Sequence, residues 1–355
     1  MPRPIKATIN LDAFRHNLAV VRRHAPRAAV FAVIKADAYG HGVMRAAHAL
    51  ASAEGYALLE VDAAVRLREA GYGQRIALLE GVFGPRDLEV AAEHRLAIAI
   101  HSQEQVRMLE AAPADARFDV LLKINTGMNR LGFTSAEFAA VFDRLQQHPR
   151  VAQLTLMTHF ANADDARGVN WQMECLERLA SASALPRCLA NSAAILRYPE
   201  THADWVRPGV MLYGCSPFAD VSAATLGLQP VMTLASELIA VRELQPGERI
   251  GYGGAFEAAR PTRVGIVACG YADGYPRHAP TGTPIVVGGQ RTRTLGRVSM
   301  DMLCADLCAI PAAGVGTPVT LWGTGLSADE VAAAAGTVSY ELLCALAPRV
   351  PVTEV

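Results

Sequence analysis

The chain has 355 residues, half of them apolar, with 33 Lys and Arg against 34 Asp and Glu and a net charge of −1. That balance, with no basic stripe or acidic tail, argues against a nucleic-acid partner and a charged membrane surface, and no apolar stretch approaches the ~20 residues of a membrane span. The first residues lack a secretory pattern, and the seven cysteines are odd in number and scattered, so reduced thiols in a cytoplasmic protein are expected.

Short apolar runs recur at 29–34, 56–59, 75–79, 96–100, 120–124, 154–159, 187–191 and 206–213. Helical spacing of apolar residues separates them, for example over 46–53, 63–70 and 138–145. Eight strand–helix units predict an α/β fold of the (β/α)8 TIM-type barrel class, about 220 residues long. After about Leu226 the rhythm changes. The segments 233–241, 263–269, 284–287 and 318–322 are rich in β-branched residues and divided by Gly and Pro, which predicts a C-terminal, mainly antiparallel β domain. Helical patterns follow at 328–335 and 340–346. The expected division is a barrel over 1–226 and a β domain over 227–355.

Only three lysines, Lys6, Lys35 and Lys123, stand against thirty arginines. A surviving lysine is a candidate for chemistry closed to arginine, because a desolvated amine loses its proton and attacks a carbonyl. Lys35 ends the first apolar run and enters the polar loop Ala36-Asp37-Ala38-Tyr39-Gly40-His41-Gly42. Its bland alternative is a lysine snorkelling at a strand end. Barrel sites, however, form at the C-terminal ends of strands. The polar residues closing the other runs are Lys123, His159, Asn191 with Ser192, and Arg207, and in a barrel they are expected to converge on that same face. A cluster of Lys, Tyr, His, Arg, Asn and Ser without grouped carboxylates does not suit a metal. It suits a lysine imine with a phosphorylated aldehyde, the phosphate resting on Asn191-Ser192 and Pro208-Gly209-Val210.

The motifs Ala32-Val-Ile-Lys35-Ala-Asp-Ala-Tyr39-Gly-His-Gly42, Lys123-Ile-Asn-Thr-Gly-Met-Asn-Arg130 and Thr158-His-Phe-Ala161 carry a resemblance to the alanine racemases. So do Asn191-Ser-Ala-Ala194, Val206-Arg-Pro-Gly209, Gly251-Tyr-Gly-Gly254, Gly270-Tyr-Ala-Asp-Gly-Tyr275, Val298-Ser-Met-Asp301 and Ser339-Tyr-Glu-Leu-Leu-Cys344. Together they run in order over essentially the whole chain. The resemblance implies pyridoxal 5'-phosphate as cofactor, L-alanine and D-alanine as substrates, and a homodimer with shared active sites. Lys35 then binds the cofactor and serves as one catalytic base, and Tyr252, reaching in from the partner subunit, as the other. Racemisation takes a proton from one face of Cα and returns one to the other, which two bases on opposite faces do directly. A tyrosine base needs help, since its ordinary pKa is about 10, and His159 and Arg207 match a relay that provides it.

The resemblance also assigns Arg207 to the pyridine nitrogen, and Tyr39, Ser192, Gly209, Val210 and Tyr340 to the phosphate. Arg130 matches the residue at the substrate carboxylate and cofactor phenolic oxygen, Met300 a partner-chain residue at that carboxylate, and Tyr271 an aromatic of the entrance corridor. Lys123 matches a lysine carrying a carbamate in many relatives. Asp37 and Asn125 depart from the commoner Asn and Asp at those places, beside the site but not among its bases. An amino-acid decarboxylase of the same architecture is the main rival, and Arg207 and Tyr252 argue against it. A cofactor carrier built from a barrel alone leaves the β domain unexplained, and a barrel without cofactor would purify colourless.

Overall fold

The computed structural model describes residues 3–181 and 183–355. The chain opens with strand β1 (Lys6–Ile9) and helix α1 (Leu11–His24). Asn10 caps α1, its side-chain oxygen accepting from the Ala13 N–H at 3.0 Å. Eight parallel strands follow and close on themselves: β2 (Ala29–Val33), β3 (Gly55–Leu58), β4 (Arg75–Leu78), β5 (Ala97–Ile100), β6 (Phe118–Lys123), β7 (Val151–Met157), β8 (Arg187–Asn191) and β9 (Trp205–Arg207), with β9 pairing back to β2. These strands read as nearly continuous Val, Ile, Leu and Ala because both faces are covered, by the barrel interior and by the helices.

Near the N-terminal ends of the strands Phe31 stacks on Trp205 with ring centroids 4.1 Å apart. The Arg75 guanidinium lies over both rings, 5.6 and 5.4 Å from their centroids, and pairs with Asp119 at 3.2 Å. This plug leaves the opposite, C-terminal end as the open mouth.

The expected last barrel strand over 206–213 is divided. Pro208 has no N–H for the ladder and Gly209 turns the chain, so β9 stops at Arg207 and Val210–Tyr213 forms a 3-10 turn.

The second sheet takes β10 (Met232–Leu244), β13 (Thr262–Val267), β14 (Pro284–Val287), β15 (Gln290–Leu295), β16 (Leu303–Asp306), β17 (Pro318–Trp322) and β18 (Val352–Glu354). Its order is β13-β16-β15-β14-β17-β10-β1-β18, with β10 also paired to β13, while β11 (Arg249–Ile250) and β12 (Phe256–Glu257) form a small separate hairpin. Strand β1 runs antiparallel to β10, with Lys6 opposite Ala235, and parallel to β18. The segment expected to begin the barrel thus starts with a strand of the other sheet. Its alternation of two polar residues, Lys6 and Thr8, with two apolar ones, Ala7 and Ile9, is too short to show which sheet receives it.

Asn17 of α1, fully buried, ties the two halves together. Its Nδ2 donates to Leu212 O at 3.0 Å and Gln229 O at 2.8 Å, and its Oδ1 accepts from the Gln229 N–H at 2.9 Å. Among the described residues no helix is long and apolar enough to cross a membrane, and no group of His, Cys, Asp and Glu is placed to hold a metal ion. Replacing Asn17 by Ala leaves the buried Leu212 carbonyl and two partly buried backbone groups of Gln229 without their partner and is expected to lower the unfolding free energy by about 1–3 kcal/mol, read from urea denaturation; an unchanged midpoint contradicts this role.

Candidate active site

Lys35 emerges two residues past β2 and begins an unusual turn. Ala36, Asp37, Ala38 and Tyr39 all adopt left-handed backbone, with φ of 53, 48, 53 and 50°. For residues with a Cβ that costs about 1–2 kcal/mol each, so the surroundings must enforce it. The Ala38 N–H donates to Ile34 O and the Gly40 N–H to Ala36 O, both at 3.0 Å. The Ala36 N–H donates to Glu60 Oε1 at 3.1 Å, and Asp37 Oδ1 accepts from the Val43 N–H at 2.8 Å. His41, fully buried against Phe14 and Tyr213, reaches Ala38 O at 3.0 Å and Tyr39 O at 2.9 Å through Nδ1. Both partners are carbonyls, so Nδ1 carries the hydrogen. Gly40 closes the turn at φ 77°, where a Cβ would stand 2.3 Å from Leu343 O.

The turn faces a cavity of about 820 Å³ at the C-terminal mouth of the barrel. Eleven of the residues singled out in the sequence line it. Lys35 and Tyr39 come from the turn after β2, Lys123 from the end of β6, and Arg130 from the loop beyond it. His159 follows β7, Asn191 and Ser192 end β8, and Arg207, Gly209 and Val210 lie at and beyond the end of β9. Tyr340 arrives from the second domain on helix Ser339–Cys344. Tyr252, Tyr271 and Met300 do not join this cavity. They lie on the second domain with 71, 39 and 52 % of their surface exposed.

One end of the cavity is shaped for a small polyanion. A Cβ on Gly209 would stand 2.9 Å from the Tyr39 hydroxyl and 3.9 Å from Ser192 Oγ. Ser192 Oγ accepts from the N–H groups of Gly209 and Met211 at 2.8 and 3.5 Å, which leaves its own hydrogen to donate elsewhere. Tyr39 and Tyr340 have ring centroids 5.9 Å apart, and burial pushes both phenols well above their ordinary pKa, so they stay protonated donors. Asn191 lines the cavity, but its Oδ1 is engaged in capping the helix Ser192–Arg197, accepting from the Ala194 N–H at 3.0 Å.

The other end gathers cations. Arg207, 3 % exposed, has no acidic partner among the described residues. It donates instead to Cys188 O at 2.5 Å, Thr158 O at 2.7 Å, Leu189 O at 3.1 Å and Cys188 Sγ at 3.1 Å. Its Nη2 stands 3.5 Å from His159 Nδ1, which must therefore present a lone pair. Burial first, then the charges of Arg207, Arg130, Lys123 and Lys35, hold the His159 pKa down at about 3, so the ring is neutral with its hydrogen on Nε2. Burial and the charges of Arg207 and Arg130 bring Lys123 down to about 8, against the opposing pull of Glu80. Among the described residues, Glu80 and Asp164 are the only carboxylates lining the cavity. Glu80, Glu60 and His41 were not singled out from the sequence. Only His41, held between two glycines, carried a local signal.

Comparison with known proteins agrees with this arrangement. Sequence models of the alanine racemase N-terminal and C-terminal domains match residues 9–217 and 231–354. The alanine racemase of Nitrosospira multiformis is 60 % identical over 352 residues, covering 98 % of this chain and 99 % of its own. That of Nitrosomonas europaea is 58 % identical over 355 residues, covering 99 % of this chain and 98 % of its own. The crystal structure of the biosynthetic alanine racemase from Pseudomonas aeruginosa superposes with a TM-score of 0.97 at 48 % identity over 99 % of both chains. With both domain models matched in order and identity this high over nearly the full length, the chain belongs to the alanine racemase family, whose reaction interconverts L-alanine and D-alanine.

Proposed function

We propose that the chain racemises alanine with pyridoxal 5'-phosphate held on Lys35, as a homodimer in which each site takes Tyr252, Met300 and Tyr271 from the other subunit. The observation that carries this is Arg207, a buried cation fixed by backbone carbonyls and set against a neutral His159. The division of labour follows the fold, with residues 1–226 holding the cofactor and residues 227–355 supplying the second base. The exposure of Tyr252, Met300 and Tyr271 outside their own chain's cavity supports the dimer.

The cavity fits the cofactor on its own geometry. The space where a Gly209 Cβ would stand, the outward Ser192 hydroxyl, the Val210 N–H, and the neutral phenols of Tyr39 and Tyr340 suit a phosphate dianion. The bound cofactor supplies an electron sink that acidifies Cα–H of the attached amino acid. Arg207 cannot accept a proton, so a pyridine nitrogen facing it stays unprotonated and the sink is kept weak, which limits side reactions. Lys35 moves the Cα proton on one face and Tyr252 on the other. His159, neutral and protonated at Nε2, offers a hydrogen bond to the Tyr252 oxygen when that oxygen is charged. Arg130 and Met300 position the alanine carboxylate, and Tyr271 narrows the approach to it.

Lys123 is proposed to carry a carbamate. Held at about 8, roughly one amine in ten is neutral at pH 7 and able to add carbon dioxide. The product, formed with release of a proton, is an anion between Arg130 and Arg207 where a cation would be repelled. A cytoplasmic setting fits seven cysteines that are all unpaired, and the chemistry serves D-alanine supply for peptidoglycan or alanine catabolism alike.

A chiral assay of the protein with added pyridoxal phosphate is expected to take L-alanine and D-alanine to the same equal mixture; yellow protein that changes neither overturns the reaction. Lys35→Ala is expected to lose both the cofactor's visible absorbance and activity. Tyr252→Phe is expected to keep the absorbance and lose at least about 100-fold in rate, and an undiminished rate contradicts the two-base scheme. Carbon-13 NMR in labelled bicarbonate is expected to show a carbamate signal absent from Lys123→Ala; its absence from the unaltered protein removes the carbamate.

The buried histidines set the acid limit of stability. Burial lowers His41 to about 4, and burial with nearby cations lowers His159 to about 3. Between the unfolded value of about 6.5 and these folded values, only the unfolded chain takes up the protons. Stability is therefore full above about pH 6.5 and falls as the pH drops toward 4. Thermal unfolding of His41→Phe is expected to show a shallower decline over that window than the unaltered chain, and an identical slope contradicts the assignment.

A further inference from the structure

Tyr271 and Met300 stand on two turns that are laced together. The Tyr271 N–H donates to Ser299 O and the Ala272 N–H to Met300 O, both at 3.0 Å. The approach is so close that a Cβ on Gly270 would stand 2.3 Å from Ser299 O and 2.4 Å from Met300 O, which leaves glycine the only residue that fits. Beside this contact lies Asp273, fully buried. Its Oδ2 accepts from the Gly270 N–H at 3.0 Å and from Arg3 Nη2 at 3.1 Å, and its Oδ1 from Arg349 Nε at 2.7 Å. The same two arginines reach the Met300 side. Arg3 Nη2 donates to Asp301 O at 2.9 Å and also to Ala268 O at 3.2 Å, while Arg349 Nη2 meets Asp301 Oδ1 at 2.7 Å.

A buried carboxylate is strongly unfavourable unless its lone pairs are met. Here two guanidinium groups and a backbone N–H meet them, and both guanidiniums extend to residue 301. The spacing between the Tyr271 turn and Met300 is thus held by charge-assisted hydrogen bonds from two arginines in addition to the turns themselves. The turn Tyr252–Gly254 makes no part of this network and lies beside Arg297 instead.

We propose that Asp273, Arg3 and Arg349 are positioning residues for alanine binding, acting through Tyr271 and Met300 on the partner subunit's site. This rests on the shared-site reading above. Loss of the network is then expected to weaken alanine binding while proton transfer through Tyr252 continues.

The test uses the dimeric holoenzyme. Asp273→Asn is expected to raise KM for alanine about tenfold with kcat within about twofold, and Arg349→Gln, which keeps the carboxylate in place, to raise it about threefold. The second variant carries the test if the first does not fold. A merely structural role lowers the melting temperature and leaves KM unchanged, which would overturn the proposal. Heterodimers of an Asp273→Asn or Arg349→Gln chain with a Lys35→Ala chain retain one working site, built from the first chain's Lys35 and the second chain's intact Tyr271 and Met300. That site is expected to show the unaltered KM; a KM raised as in the variant homodimer means that the network acts within its own chain and overturns the proposal. A separate heterodimer of Lys35→Ala with Tyr252→Phe tests the underlying reading, since shared sites restore about half the unaltered activity from two inactive parents. If it stays inactive, the shared site fails, independently of the KM result.

Discussion

Four cations, Lys35, Lys123, Arg130 and Arg207, face one cavity that offers only two carboxylates, Glu80 and Asp164. Like charges brought together at low dielectric repel by several kcal/mol at effective values near those of protein surfaces, so an apo site of this kind is under electrostatic stress. The stress shows in the neighbours. His159 is driven neutral, and Lys123 is brought down to about 8. Arg207 escapes it by being held on three backbone carbonyls, a fixed dipolar seat that stabilises the cation without supplying a proton acceptor. The cofactor and substrate proposed above would bring a phosphate, a phenolic oxygen and a carboxylate, each of which would relieve part of this repulsion. Affinity for anions and control over proton positions thus have one origin.

The left-handed turn after Lys35 is the mechanical counterpart. Four residues with a Cβ occupy a region that costs each of them free energy, and a buried histidine, a glutamate from the next strand–helix unit and the second domain's Leu343 hold them there. The contact with Leu343 means that the β domain also fixes the placement of the lysine turn. Helix Ser339–Cys344 brings both Leu343 and Tyr340 to the barrel mouth, so packing between the domains also completes the cavity wall.

Much of this was readable in the sequence, and the failures have physical causes. Parallel strands buried on both faces leave uninterrupted apolar runs, and all eight barrel strands lie where those runs fall. Strand β1 was missed because its partners are β10 and β18, more than two hundred residues away, and local pattern carries no such information. The run 206–213 looked continuous because apolar content hid the effect of Pro208 and Gly209. The short β11, β12 and β18 depend on long-range pairing more than on composition. Within the site, residues at strand ends were found by the barrel rule, whereas the left-handed run was invisible. Ala36-Asp37-Ala38-Tyr39 contains no glycine, and its conformation depends on side-chain hydrogen bonds and on contacts with Glu60 and Leu343 that no local pattern announces. Asp273 was hidden for a related reason, since its arginine partners come from opposite ends of the chain.

Arg207 presents a positively charged donor that cannot itself take up a proton. Nitrogen-15 NMR of the protein loaded with ring-labelled pyridoxal phosphate reads this directly. The chemical shift of an unprotonated pyridine nitrogen is expected throughout neutral pH; the shift of a protonated pyridinium would overturn the role given to Arg207.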